Sequence, residues 1–283
     1  MKKKTKTLII VCAVFLVIGA LCGYFAYEYI CYGPIKAKEP VSIQTSSVED
    51  TSDIYMIGHR GFSAIAPENT LDSFKEACEY GFYGCEFDIH LTKDGQWAVM
   101  HDAKIKKMTG QKGVIEDMTL EELKAIPFTN GANIADYGEV YIPTLEEKLD
   151  LLKEYDVAPI IEIKTATTEK LDEMLALIRK YGFEDKAWII SFEKEPMVKT
   201  RELNKDIKMS FLTHEVTQED IDFCLENNLD GLDFSKKKIT PEAVDMVVEA
   251  GLLPQVWTVD TIEDFETLYS YGIRYFTGNC LTY

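Results

Sequence analysis

The feature that most constrains this chain is a repeat of kind rather than of letters: between residues 54 and 283, short apolar runs alternate with amphipathic stretches eight times. The runs at 54–58, 85–91, 158–164, 187–192, 207–212, 231–234, 255–259 and 274–277 have the length and residue types of buried strands. The stretches between them carry apolar residues at helical spacing. Thr144, Thr217 and Thr240 stand where they would cap helix starts, and Gly81, Gly182, Gly251 and Gly272 where helices would end. Strands alternating with helices pair in parallel, and eight such units close a (β/α)8, or TIM, barrel. The competing arrangement is an open, doubly wound sheet. Two irregularities stand out. Residues 103–143 are too long for a strand-to-helix loop and read as a small inserted subdomain after the second strand. The sequence also stops a few residues past the eighth run, so the last helix is expected to be missing and another segment must cover that face.

The N-terminus has a different character. A basic segment, residues 1–7, carries Lys2, Lys3, Lys4 and Lys6, and residues 8–30 follow with one charge, Glu28. That length and polarity predict a single transmembrane anchor, with the lysines inside the cell and the rest of the chain facing outward at the cell membrane. A cleaved signal peptide would have a shorter apolar core and a small-residue cleavage pattern, which is lacking here. A lipoprotein reading of Cys22 is weak, because Leu21 occupies a position that favours a small residue. Residues 31–53 are polar and interrupted by Pro34 and Pro40, and read as a linker.

The chain carries a net charge of −18; residues 1–53 hold six lysines against five acids, so residues 54–283 carry −19, and no basic stripe interrupts it, so a nucleic-acid partner is not expected. Cys78, Cys85, Cys224 and Cys280 are scattered without metal-ligand spacing. An outward-facing domain could oxidise a pair of them, and the sequence does not say which.

A barrel of this kind carries its site at the C-terminal ends of its strands. The first run ends in His59, Arg60 and Gly61. The second offers Glu86, Asp88 and His90 on one face, since side chains alternate along a strand. The segment "WAVMHD" then delivers His101 and Asp102, and "IIEIKT" gives Glu162 and Lys164. Later runs end at Ser191 and Phe192, near His214, and at Trp257. Three carboxylates aimed at one volume repel one another unless they are protonated, paired or holding a cation, and an all-oxygen set suits Mg²⁺ or Ca²⁺. The plainer reading is that Glu86 and Glu162 form salt bridges with Arg60 and Lys164. Two histidines at the same mouth shift the balance toward chemistry. His59 and His101 are natural acid–base groups. With Arg60, Lys164 and an ion clamping an anionic oxygen cluster, phosphodiester cleavage fits. His90 and His214 are lesser candidates, His214 at the rim.

The order of these motifs resembles the glycerophosphodiester phosphodiesterase family. "HRG", "APENT", "CEFD", "TKDG", "MHD", "IEIK" and "VWTVD" follow one another as that family's signature does, over essentially all of 54–283. The resemblance implies a TIM barrel that hydrolyses glycerophosphodiesters to glycerol 3-phosphate and an alcohol. It implies His59 and His101 as the catalytic pair, and Glu86, Asp88 and Glu162 as ligands of one divalent cation. Arg60 and Lys164 would contact phosphate, and Trp257 would wall the glycerol moiety. Gly61 is expected to let backbone approach the ligand, and Asn69 to be structural or to turn toward phosphate. The tail departs from the family's T-[DN]-x-P, reading "TGNCLTY", which leaves the glycerol end of the pocket open. Two alternatives compete: a related barrel phospholipase that releases a cyclic phosphate from lysolipids, and a catalytically silent surface binding module. The second would be marked by loss of His59, His101, Glu86 or Glu162, and none is lost. The substrate is left between deacylated phospholipid head groups and a glycerophosphate polymer.

Overall fold

The structure, a computed structural model, describes residues 22–283. Eight parallel strands close into a barrel: β2 (Tyr55–His59), β3 (Gly84–Leu91), β5 (Ala158–Ile163), β6 (Trp188–Ser191), β7 (Lys208–Thr213), β8 (Gly231–Ser235), β9 (Leu253–Trp257) and β10 (Tyr275–Gly278). Closure comes from β2, which pairs with β3 on one side and with β10 on the other. The open doubly wound alternative is thereby excluded. A short strand, β4 (Trp97–Val99), folds back antiparallel on β3 and forms the hairpin that carries the chain to His101.

The helices are built as the sequence suggests. Thr144 caps α5 (Leu145–Tyr155) reciprocally with Glu147, and Thr217 and Thr240 cap α8 (Gln218–Glu226) and α9 (Pro241–Glu249). Gly182 takes the left-handed conformation that ends α6 (Leu171–Tyr181). The apolar faces of the helices and the outer faces of the strands share one large core, while Ile57, Ile160, Trp188, Ile190 and Leu212 fill the barrel interior. The barrel is therefore packed at its base and leaves room only at the mouth. Cys78, Cys85, Cys224 and Cys280 are free, buried thiols within this packing.

Residues 103–143 form short helices, α3 (Lys106–Thr109) and α4 (Leu120–Lys124), around a separate apolar cluster of Met100, Ile105, Met108, Ile115, Leu123 and Phe128 with neighbours. Residues 22–32 form helix α1, which rests against this subdomain through Glu28 and Lys106, 2.5 Å apart. Most of the segment expected to span a membrane lies outside the described residues. Among the described residues no helix is long and apolar enough to cross one.

The linker expected at 31–53 is not featureless. Strand β1 (Val41–Ser42) pairs in parallel with β11 (Leu281–Thr282), and Ile43 is fully buried in the main core beside α10 (Ile262–Ser270). This segment covers the face that no helix follows after β10. One apolar residue and two extended ones suffice for that task, which is why a composition reading of the stretch as a whole missed it.

Candidate active site

All eight residues singled out from the sequence meet at the mouth. His59, Arg60, Glu86, His101, Glu162, Lys164 and Trp257 line one cavity of about 270 Å³, and Asp88 stands behind Glu86 and Glu162. Register explains the convergence. Asp88 lies opposite Glu162 across the β3–β5 ladder, and His59 lies opposite Glu86 across β2–β3.

Ligand oxygens of Glu86, Asp88 and Glu162 lie within 4.8 Å of one another, all three residues being buried. Their charges are unequally compensated. Asp88 is held far below the ordinary carboxylate range; burial works against this, and Arg60, His101 and Lys164 overcome it. Burial, then the Asp88 and Glu162 charges, push Glu86 well up, and burial with Asp88 drives Glu162 up to about 8. Lys164 Nζ donates to Glu162 Oε1 at 2.8 Å and stands 3.3 Å from Asp88 Oδ1. Salt bridges and a carboxylate cluster thus coexist. Two cations do not neutralise the set, and Glu86 Oε1 is buried without a partner. An all-oxygen donor set with an orphaned buried oxygen and raised proton affinities fits a hard divalent cation.

Arg60 adopts a left-handed backbone, φ 58°. Its own N–H donates to Glu86 Oε2 at 2.9 Å, and its guanidinium reaches Glu68 Oε1 at 3.1 Å and Asp88 Oδ2 at 3.7 Å. Asn69 holds Asp88 by donating to Oδ2 at 2.8 Å, so its role is to fix the triad. Glu68, the acid of "APENT", is a member that sequence reasoning passed over, and it also pairs with Lys107 of the inserted subdomain at 3.0 Å. Gly61 has φ 77°, and a Cβ there would lie 2.5–2.7 Å from Ser73 atoms, so a glycine there admits the first turn of α2 (Leu71–Glu79).

The two histidines are oriented by different partners. Asn279 donates through Nδ2 to Asp260 at 2.8 Å, which turns its Oδ1 toward His59 Nδ1 at 2.8 Å. An oxygen there requires a proton on Nδ1 and leaves Nε2 with a lone pair. Burial first, then the Arg60 charge, push His59 down to about 4. Its 4.0 Å approach to Glu86 is accordingly a contact of a neutral ring and not an ion pair. Burial opposes the ionisation of Asp260, yet Lys38 and Asn279 hold it at about 2. Lys38, from the stretch expected to be a linker, contacts that carboxylate at 2.8 Å. His101 sits on the loop after β4, and its Nδ1 is 2.7 Å from Asp102 Oδ1, which aims Nε2 at the cavity. His90 does not line the cavity; its Nε2 lies 3.1 Å from the His101 carbonyl and steadies that loop. His214 lines the rim, packed on Phe192 and Trp257 with ring centroids 5.0 and 5.6 Å apart.

Asn279 and Asp260 carried a usable signal. Both follow barrel strands at the mouth, as the other site residues do. Lys38 carried none.

The sequence pattern of the glycerophosphoryl diester phosphodiesterase family matches residues 59–278. A glycerophosphodiester phosphodiesterase of Caldanaerobacter subterraneus subsp. tengcongensis is 33% identical over 228 residues, 77% of this chain and 90% of that protein. A crystal structure of a glycerophosphodiester phosphodiesterase from Parabacteroides distasonis superposes with a TM-score of 0.67 at 25% identity, covering 86% of this chain and 94% of the other. An Oleispira antarctica phosphodiesterase, solved with the product sn-glycerol-3-phosphate, shares the fold with a TM-score of 0.73 at 22% identity, covering 84% and 96%. Motifs, barrel and site geometry agree with these likenesses, and the chain belongs to the glycerophosphoryl diester phosphodiesterase family.

Proposed function

We propose that this protein hydrolyses glycerophosphodiesters to sn-glycerol 3-phosphate and an alcohol, with His59 and His101 as the acid–base pair and one Mg²⁺ or Ca²⁺ held by Glu86, Asp88 and Glu162. The observation that carries the reading is the meeting of the carboxylate cluster, two cationic side chains and two histidines, each tethered through Nδ1, on a single cavity. A bound cation supplies charge neutralisation to the phosphoryl oxygens. Arg60 and Lys164 add to that field and orient the diester. His59, neutral with its lone pair on Nε2, accepts the proton of the attacking oxygen. His101 delivers a proton from Nε2 to the departing alcohol oxygen while Asp102 steadies the ring as its charge changes. Trp257, with Phe192 and His214, walls the organic part of the substrate.

The test is product analysis with the full-length chain on glycerophosphocholine, glycerophosphoethanolamine, a lysolipid and a polyglycerophosphate. Free glycerol 3-phosphate is expected, and a chelator should abolish turnover, with Mg²⁺ or Ca²⁺ restoring it. A cyclic phosphate product would instead indicate the related phospholipase chemistry, and full activity in excess chelator would remove the metal from the reading.

We also infer that the domain is held at the outer face of the cell membrane. The support is the lysine-flanked apolar run at 8–30, together with the exposed Tyr24, Phe25, Tyr27 and Tyr29 of α1, residue types that favour a membrane–water interface. Protease added to intact cells should degrade the barrel and spare the lysine-rich end; recovery of a soluble form that has lost residues 8–30 would contradict it.

A further inference from the structure

The cavity wall facing the carboxylate cluster holds a second buried acid. Asp233 sits in β8, in register with Leu212 of β7 and Gln255 of β9, and lines the cavity with only 4% of its surface exposed. Among the described residues no hydrogen bond or ion pair reaches its carboxyl, and Oδ1 is enclosed without a partner. Burial alone pushes its pKa up to about 8, since no cation stands near enough to oppose it. A second polar group in the same cavity is in the same position: Trp257 Nε1, a donor, is buried and unpartnered. Ile190, Phe192 and Leu212 supply carbon surface to the same cavity, beside His214, Thr258 and Thr277.

Buried polar groups in folded proteins are almost always satisfied. An acceptor and a donor left open on an apolar wall, across the cavity from the phosphate-binding charges, describe what the missing ligand part must offer. It must have a short carbon skeleton, no negative charge, and hydroxyls that both donate and accept. We propose that Asp233 is the specificity residue for the glycerol half of the diester, taking hydrogen bonds from its free hydroxyls while Trp257 Nε1 donates to one of them. The proposal rests on the function given above and adds the residue that would make the enzyme select a glycerol ester over any other phosphodiester. A site built to hydrogen-bond a hydroxyl rejects an analogue without it, because the protein groups are then left unpaired.

The experiment is calorimetric binding of sn-glycerol 3-phosphate, ethyl phosphate and phosphoethanolamine to the full-length wild type, Asp233→Asn and Asp233→Leu. The first two ligands share the phosphate and differ in the hydroxyls. Wild type should prefer sn-glycerol 3-phosphate over ethyl phosphate by about 10- to 100-fold. That ratio should shrink in Asp233→Asn, which keeps an acceptor, and approach one in Asp233→Leu. An unchanged ratio in both variants overturns the proposal. So does a loss confined to phosphoethanolamine, which would make Asp233 a receptor for a cationic head group. If wild type binds none of the three esters, it is the functional reading that fails. Thermal unfolding guards the comparison: if Asp233→Leu does not fold, the isosteric Asp233→Asn decides.

Discussion

His59 and His101 are the same side chain in two different settings, and the contrast shows how one barrel mouth holds two rings by different means. His59 ends a barrel strand, is enclosed, and is held by a neutral amide whose orientation is fixed by Asp260 and, behind it, Lys38. His101 rides a loop leading into the inserted subdomain, has about a third of its side chain exposed, and is held by a carboxylate. A neutral partner and burial favour a ring that waits with a lone pair. The first setting is built from residues 220 positions apart; the second is built from neighbours.

Removing either ring is the coarsest way to test the contrast. His59→Ala and His101→Ala should each lower kcat by about 10²–10⁴. The double variant should lose less than the product of the two, because groups acting as a unit are not additive. Strict additivity would mean that the rings serve separate steps.

A finer test leaves both rings and removes the amide. Asn279→Ala should cost about 10- to 100-fold in kcat/KM, the scale of one orienting hydrogen bond. The pH profile makes the test specific. His59 is neutral above about pH 4, so its acid limb belongs near that value. The Asn279 oxygen favours the protonated ring, so its loss should move the limb to lower pH. A limb that stays in place would mean that Asn279 does not act through His59.

The smallest expected effect concerns the support behind Asn279. Asp260 has a folded pKa of about 2, below its unfolded value, so it contributes stability above the unfolded pKa that is lost as pH falls toward 2. Asp260→Asn should therefore cost of order 1–2 kcal/mol at neutral pH, allowing for screening at the half-exposed Lys38, and the gap to wild type should close as pH falls from about 4 to 2. Urea denaturation across that range measures it. A gap independent of pH would show that the carboxylate's charge is not what matters.

Much of this molecule was legible in its sequence because the informative signals are local. Strand runs, helix periodicity and caps such as Thr144 depend on neighbours a few residues away, and they give eight strands with helices between them. Alternation places Glu86 and Asp88 on one face, and strand ends mark His59, Glu162 and Trp257. Local reading failed where one residue serves a distant one. The packing of Gly61 against Ser73 on the next helix was not read from the sequence. The stretch around Ile43 was averaged into a polar linker, although a single side chain fills a gap in the core.

The sequence by itself determined the set of chemical groups and the face of each strand that carries them, since both follow from residue identity and a two-residue repeat. Barrel closure decided the rest. Only when β10 pairs with β2 does Asn279 come beside His59, and only then can Asp260 and Lys38 fix the proton on Nδ1. Closure also brings Asp233 to face the carboxylate cluster across one cavity with nothing to bond. Such contacts depend on how strands far apart in the chain are brought together, a property of the closed sheet that no local pattern of residues encodes.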